Sequence, residues 1–305
     1  MRISNYQALL KLPLLELVNL ANRERAKSLG SKLELCSIIN AKSGLCREDC
    51  KFCAQSLKYS AKISTYSLLE KDKILKAAHK AKEIGARHFG IVTSGNRLNS
   101  KELKIIAEAV FEIRNKVKIL VCASLGALDR AQLKMLKESG IVRYHHNIET
   151  SPNFYKKIVS THSFEERIKT VKAAKDAGLE VCSGGIIGMG EAWPDRLSMA
   201  LILKDLKVDS IPLNILVPIK GTPLEKTRPI AVSDAIRAIA IFRIILKDKV
   251  IKVAAGRESV LGDFQSLGFM AGANGMLIGG YLTVKGRNIK EDYKLIRQIK
   301  EVWKK

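Results

Sequence analysis

The sequence predicts an α/β fold, a single (β/α)8 barrel over residues 1–305 with a helical extension over about residues 1–30. Three observations predict it. A helical stretch closed by glycine and followed at once by an apolar run recurs at Ile84-Gly85, Ser139-Gly140 and Ala177-Gly178, as expected where helices turn sharply back into a parallel sheet. Eight strand candidates follow one another with helix-length intervals between them. No low-complexity linker or shift in composition divides the 305 residues, a length that one large barrel accommodates.

Taken in order, residues 5–29 read as two helical pieces, with Pro13 suited to a first helical turn and Gly30 to a terminator. Residues 33–40 form an apolar, β-compatible run that carries Cys36 and leads into Ser43-Gly44. Residues 71–84 read as a helix with Ile74, Ala77, Ala78 and Ala81 on one face, and 87–93 as the second strand. Leu103, Ile106, Val110 and Ile113 mark the next helix and 117–123 the third strand, which carries Cys122. Helices over 133–139 and 167–177 precede strands over 141–148 and 179–187, the latter carrying Cys182. The remaining strands are 210–216, 250–255 and 275–279, with a last helix near 291–303.

Composition narrows the function classes. A hydrophobic fraction of 47% with 27% charged residues is ordinary for a soluble enzyme and excludes a disordered chain. Residues 9–20 are leucine-rich, but Lys11, Pro13 and Glu16 interrupt them, so neither a membrane span nor a cleavable leader is expected and a cytoplasmic location is. Six cysteines without a secretory pattern point to reduced thiols and metal chemistry. The net charge of +23 would attract phosphates, yet Lys71, Lys73, Lys76 and Lys80 recur singly on a helical face instead of clustering with aromatics. Solvated helix faces, not a nucleic-acid partner, are expected.

The densest chemistry lies in Cys46-Arg47-Glu48-Asp49-Cys50-Lys51-Phe52-Cys53, where the cysteines are separated by three residues and then by two. A structural zinc site would want a fourth cysteine or histidine at a second short spacing, and nothing after Cys53 supplies such a pair nearby. A four-iron cluster held by three thiolates fits the shortfall and leaves one iron open to a ligand. Four charged residues in the loop oppose its reading as a cluster of small buried hydrophobes.

Barrel enzymes carry their chemistry at the C-terminal ends of the strands, and the unusual residues of this chain obey that rule. Thr93-Ser94-Gly95, Ser124, Asn147, Glu149, the 184–191 stretch, Asn214 and Arg257 all follow predicted strands. Singly, each has a plain explanation: Glu149-Thr150-Ser151-Pro152 can start a helix and Gly188-Met189-Gly190 can form a turn. Together they predict one cofactor cradle.

The cysteine loop, with Phe52 before its last cysteine, resembles that of the radical S-adenosylmethionine enzymes. Further motifs extend the likeness: Asn40-Ala41-Lys42-Ser43-Gly44, Lys51-Phe52-Cys53-Ala54-Gln55-Ser56, His146-Asn147-Ile148-Glu149-Thr150-Ser151, Cys182-Ser183-Gly184-Gly185 and Ala255-Gly256-Arg257-Glu258. With Lys220-Gly221-Thr222-Pro223 and Met270-Ala271-Gly272-Ala273-Asn274 they resemble the biotin synthase family, over about residues 22–280. The resemblance implies that S-adenosylmethionine chelates the open iron of a 4Fe-4S cluster on Cys46, Cys50 and Cys53. The radical it yields would take hydrogen twice from dethiobiotin, and sulfur would bridge the two carbons. Phe52, Asn147, Glu149 and Arg167 are expected to bind the cofactor, with 188–191 beside them, and His145 and Asn214 the substrate. A second, auxiliary iron-sulfur cluster (2Fe-2S or a variant) is implied as the sulfur donor, held by Cys122, Cys182 and Arg257. An electron donor such as flavodoxin or ferredoxin and a homodimer are implied as well.

Two departures bear on this. Where many members carry a cysteine on the second strand this chain has Gly90, and Cys36 on the neighbouring strand is the residue that would close the coordination if it faces inward. Where many have an asparagine against the substrate this chain has His145, whose imidazole can still donate one hydrogen bond. The competing readings are another small-molecule radical enzyme of the same superfamily, hydrogenase-maturase-like or methylornithine-synthase-like, and a basic iron-sulfur RNA-binding or scaffold protein. Cys122, Cys182 and Arg257 argue against the first, and Asn147, Glu149 and the glycine-rich 184–190 stretch against the second.

Overall fold

In the computed structural model, which describes residues 3–280 and 286–304, nine parallel strands form one sheet. They are β1 Glu34–Lys42, β2 His88–Thr93, β3 Leu120–Ser124, β4 Ile141–His145, β5 Glu180–Cys182, β6 Gly185–Ile187, β7 Ser210–Ile215, β8 Val250–Val253 and β9 Gly275–Leu277. The order β5-β4-β3-β2-β1-β9-β8-β7-β6 closes on itself where Cys182 of β5 pairs with Ser210 of β7. Because β5 and β6 share one place between β4 and β7, the barrel has the eight positions that the sequence predicts.

The break between β5 and β6 has a cause in hydrogen bonding. Gly184 donates its N–H to Asn147 Oδ1 at 3.1 Å, and its carbonyl accepts from Ile148 and Glu149 at 3.0 and 3.1 Å. A Cβ there would lie 2.0 Å from the Pro212 carbonyl oxygen, so only glycine lets the strand turn aside at this point. The predicted continuous strand 179–187 is therefore two short ones.

Helices cover the barrel, and their apolar stripes set which face is buried. Ser100–Lys116 buries Leu103, Ile106, Ala109, Val110 and Ile113, spaced by three and four residues, and starts from a capping box made by Asn99 and Glu102. Val117, predicted to open the third strand, instead caps this helix, and Lys118 turns the chain at φ 57° before β3 starts at Leu120. The predicted 133–139 and 167–177 helices begin earlier, at Arg130 and Phe164, each behind a capping box at Asp129 or Ser163. Trp193–Asp205 and Val232–Leu246 fill the two intervals before β8.

The expected N-terminal helices are Ser4–Lys11 and Leu14–Leu29. The second packs on Val232–Leu246, and Arg237 reaches back to donate to the Leu12 carbonyl at 2.8 Å. The Arg25 guanidinium stacks 3.9 Å over Trp303 of the last helix, Ile289–Trp303, while Tyr293 donates to the Ile84 carbonyl at 2.6 Å. The helices Leu14–Leu29 and Ile289–Trp303 are thus held to each other and to the body of the barrel. Among the described residues no helix is long and apolar enough to cross a membrane.

Candidate active site

A cavity of about 480 Å³ opens at the C-terminal ends of the strands and reaches down inside the barrel. Its mouth carries the cysteine loop. Cys46 donates to the Gln55 carbonyl at 3.0 Å, its own carbonyl accepts from Leu57 at 2.7 Å, and Cys53 donates back to the Cys50 carbonyl at 2.9 Å. The charged residues of the loop act as its anchors. Asp49 accepts from the Ser160 and Thr161 N–H groups at 2.9 and 3.2 Å, and Glu48 meets His162 Nδ1 at 2.9 Å. Burial works against the Asp49 carboxylate, but the Ser160 and Thr161 hydrogen bonds hold it well below the usual range.

Cys46, Cys50 and Cys53 all line the cavity. Their sulfurs do not lie within 4.8 Å of one another as a set, whereas thiolates at about 2.3 Å around one tetrahedral zinc would stand about 3.8 Å apart. The spread suits a cluster with one thiolate per iron better than a single ion. Burial pushes the Cys50 thiol up strongly and Cys53 up to about 11. Both thiols must release protons when iron binds.

Across the mouth stand Asn147, Glu149 and Arg167, also in the cavity wall. Arg167 donates to the Tyr155 hydroxyl at 2.8 Å and to the Asn147 carbonyl at 3.0 Å, and lies 3.6 Å from Glu149 Oε1. Glu149 holds φ at 68°, a conformation costly for a residue with a Cβ, and its carbonyl is fixed by the Ile186 N–H at 2.9 Å. Ser151 caps the short helix Pro152–Ile158, so the helix-start reading applies to Ser151 while Glu149 faces the cavity. Glu191, by contrast, turns into its own loop, accepting from Gly188, Met189 and Arg196. Asn214 lines the cavity while donating to the Gly185 carbonyl and accepting from Ala255, both at 3.2 Å. Phe52 is half-buried in the same wall.

Deeper down, Cys36, Cys122 and Cys182 face the cavity from β1, β3 and β5. Cys36 does point inward, as its proposed role requires. At Gly90 a Cβ would stand 3.0 Å from Ile38 Cγ2, so a side chain at position 90 would require the Ile38 side chain on β1 to give way slightly. Between the thiols sits a charged group that sequence reading missed. Glu34 accepts from Arg143 Nη1 at 2.6 Å and pairs with Lys252 Nζ at 2.8 Å, and His88 Nδ1 lies 3.6 Å from the same carboxylate. Burial favours a neutral Glu34, but Lys252 and Arg143 hold it far below the usual carboxylate range. Lys252 also bonds Cys36, and His145 bonds Cys182. Burial works to raise the Cys182 thiol, yet Lys252, His145 and Arg143 prevail and draw it down to about 6. Burial draws His88 down to about 4, against the pull of Glu34.

Arg257 is set apart from this group. β8 ends at Val253, so Arg257 lies in a π-helical turn outside the cavity wall, fully buried, donating to Gln265 at 2.6 Å and Asp292 at 2.9 Å. The cation that does face the floor is Lys252. Its signal was a single charge inside the apolar strand Val250–Val253, which on a buried strand has to find partners within the barrel.

Comparisons with known proteins agree with this geometry. A family model described as the Radical SAM superfamily matches residues 42–214, and one described as the Biotin and Thiamin Synthesis associated domain matches residues 212–300. The chain is 53% identical over 288 residues to a biotin synthase of Thermotoga petrophila, covering 94% of this chain and 95% of that protein. A biotin synthase of Thermotoga neapolitana is 54% identical over 273 residues, covering 89% and 98%. The crystal structure of methylornithine synthase (PylB) superposes with a TM-score of 0.84 at 20% identity, covering 99% of this chain and 92% of that one, a likeness of fold alone. Barrel, three-thiol loop and family match define a radical S-adenosylmethionine enzyme. Within that superfamily the chain belongs to the biotin synthase family.

Proposed function

We propose that the chain forms biotin by inserting sulfur into dethiobiotin, with the mouth and the floor of one cavity serving two iron-sulfur clusters. The observation that carries this reading is the placement of three thiols at the mouth and three at the floor of that cavity. Cys46, Cys50 and Cys53 would hold the 4Fe-4S cluster, and Asn147, Glu149, Arg167 and Phe52 would seat S-adenosylmethionine beside it. Bound there, these groups supply a carbon radical able to take hydrogen from unactivated C–H bonds. Arg167, fixed by Tyr155, and Glu149, fixed by its backbone, offer a cation and an acceptor that need little reorganisation to meet the cofactor's polar groups. His145 and Asn214 line the same cavity and would orient dethiobiotin. Cys36, Cys122 and Cys182 would hold the auxiliary cluster that gives up sulfur, with Lys252 and Arg143 balancing its negative charge.

On this reading the whole chain acts as one domain, in the cytoplasm, as a homodimer supplied with electrons by a flavodoxin or ferredoxin. The test is anaerobic reconstitution with iron and sulfide, followed by reaction with S-adenosylmethionine, dethiobiotin and a reductant. Biotin and two 5′-deoxyadenosines for each biotin are expected, one for each C–H bond broken. Cofactor cleavage that dethiobiotin does not stimulate, with no biotin formed, contradicts the substrate assignment.

A further inference from the structure

The floor of the cavity holds a nitrogen that the family likeness does not assign. His88 opens β2, in register with Cys36 of β1, and lies two residues before Gly90 on the same inward face of its strand. Its imidazole is 3% exposed, and Nδ1 has no hydrogen-bond partner among the described residues. Glu34 is too far to supply one, at 3.6 Å. A buried polar atom left without a partner costs free energy, so its retention at a thiol-lined floor asks for a ligand.

The surroundings narrow that ligand. A ring nitrogen of His88, Sγ of Cys36 and a carboxylate oxygen of Glu34 lie within 4.8 Å of one another, the one such group of three among the described residues. Glu34 is already engaged by Arg143 and Lys252, and those two cations beside it disfavour an added free dication. What remains is one imidazole nitrogen without a partner, beside a thiol on the adjacent strand that meets Lys252 and donates to Glu34 at 3.7 Å. The other nitrogens of the floor have partners: Lys252 and Arg143 in Glu34, His145 in Cys182.

We propose that His88 ligates an iron of the auxiliary cluster through Nδ1, beside Cys36, with Cys122 and Cys182 completing the protein ligands. This rests on the reading that the floor holds the auxiliary cluster, and it explains how the chain does without a thiol at position 90. On assembly the three cysteines release their protons to solvent and the neutral imidazole donates its lone pair; nothing is oxidised or reduced. A histidine in place of a thiolate makes the cluster less negative and raises its reduction potential, which suits a cluster that is to be reduced as it gives up sulfur.

The experiment uses a variant with Cys46, Cys50 and Cys53 all changed to alanine, so that iron assembled from ferric ion and sulfide resides at the floor alone. After reduction, pulsed electron paramagnetic resonance is expected to show a directly coordinated nitrogen. His88→Cys should keep the iron, abolish that coupling and lower the midpoint potential, while His88→Ala should regain a nitrogen coupling when free imidazole is added. Floor iron without nitrogen coupling, or coupling that survives His88→Cys, overturns the proposal. In the otherwise unaltered enzyme, biotin formed by a floor cluster that lacks nitrogen coupling overturns this proposal alone. Nitrogen coupling in an enzyme that forms no biotin overturns the sulfur-insertion reading alone.

Discussion

Alanine in place of any one of Cys46, Cys50 and Cys53 is expected to end 5′-deoxyadenosine formation, with a fall of well over about 100-fold. Outer-shell partners of metal ligands already account for about 10–100-fold, and on the proposed reading each of these thiols is a ligand itself. The loss should be chemical and not a failure to fold. The loop is held by backbone bonds at Cys46 and by the Asp49 and Glu48 anchors to residues 160–162, none of which uses a sulfur. Iron analysis checks this: each variant should lose the iron of the mouth and keep that of the floor, whose thiols stand on β1, β3 and β5. Undiminished cofactor cleavage by any one of the three would remove the loop from the chemistry.

The second large effect is on stability. Glu34→Gln removes the carboxylate shared by Arg143 and Lys252, both nearly excluded from solvent, and leaves buried Lys252 without its carboxylate and Arg143 with only the half-exposed Glu180. Removing one partner of a buried ion pair costs about 3–5 kcal/mol, which in a chain of this size lowers the melting temperature by on the order of 10 °C. Glu180 supplies the control. It also meets Arg143, at 2.8 Å, but is 54% exposed, so Glu180→Gln should cost less than about 1 kcal/mol. The pH dependence has a definite sign. Because the folded state depresses the Glu34 pKa, its contribution is full above the ordinary carboxylate range and is lost as pH falls through the folded value. Melting in parallel series from neutral to acid pH should show that acid-dependent loss in the parent protein and a smaller one in Glu34→Gln. Equal melting temperatures for the Glu34 and Glu180 variants would show that the floor does not depend on this pair.

The barrel was legible because helix period, closing glycine and apolar strand recur, and that grammar depends on local sequence alone. The errors lie where a distant residue decides. Val117 and Ile119 have the β-branched character of a strand, but the preceding helix extends to take Val117 as its cap, and both side chains are buried behind β3 instead of opening it. Residues 179–187 read as one apolar strand, and only the pull of Asn147 and of the Ile148 and Glu149 N–H groups on Gly184 divides it. At the mouth of the site, Cys46, Cys50 and Cys53 were identifiable from spacing and Asn147 and Glu149 from position after a strand, whereas Arg167, inside the helix Phe164–Asp176, followed from the family likeness alone. The floor was not, since which residues face inward there depends on strand register. Arg257 follows the strand by four residues and has left the barrel, while Lys252, Glu34 and His88 meet only once β8, β1 and β2 are closed around one axis.

One measurement bears most directly on the claim that the two thiol sets serve a single sulfur insertion. The enzyme is reconstituted with iron and sulfur-34 sulfide, freed of unbound sulfide, and given S-adenosylmethionine, dethiobiotin and reductant for a single turnover. Biotin carrying sulfur-34 is predicted, with a matching loss of the floor cluster's signal. Biotin with sulfur of natural isotopic composition, or labelled cluster that persists undiminished through turnover, would contradict the account.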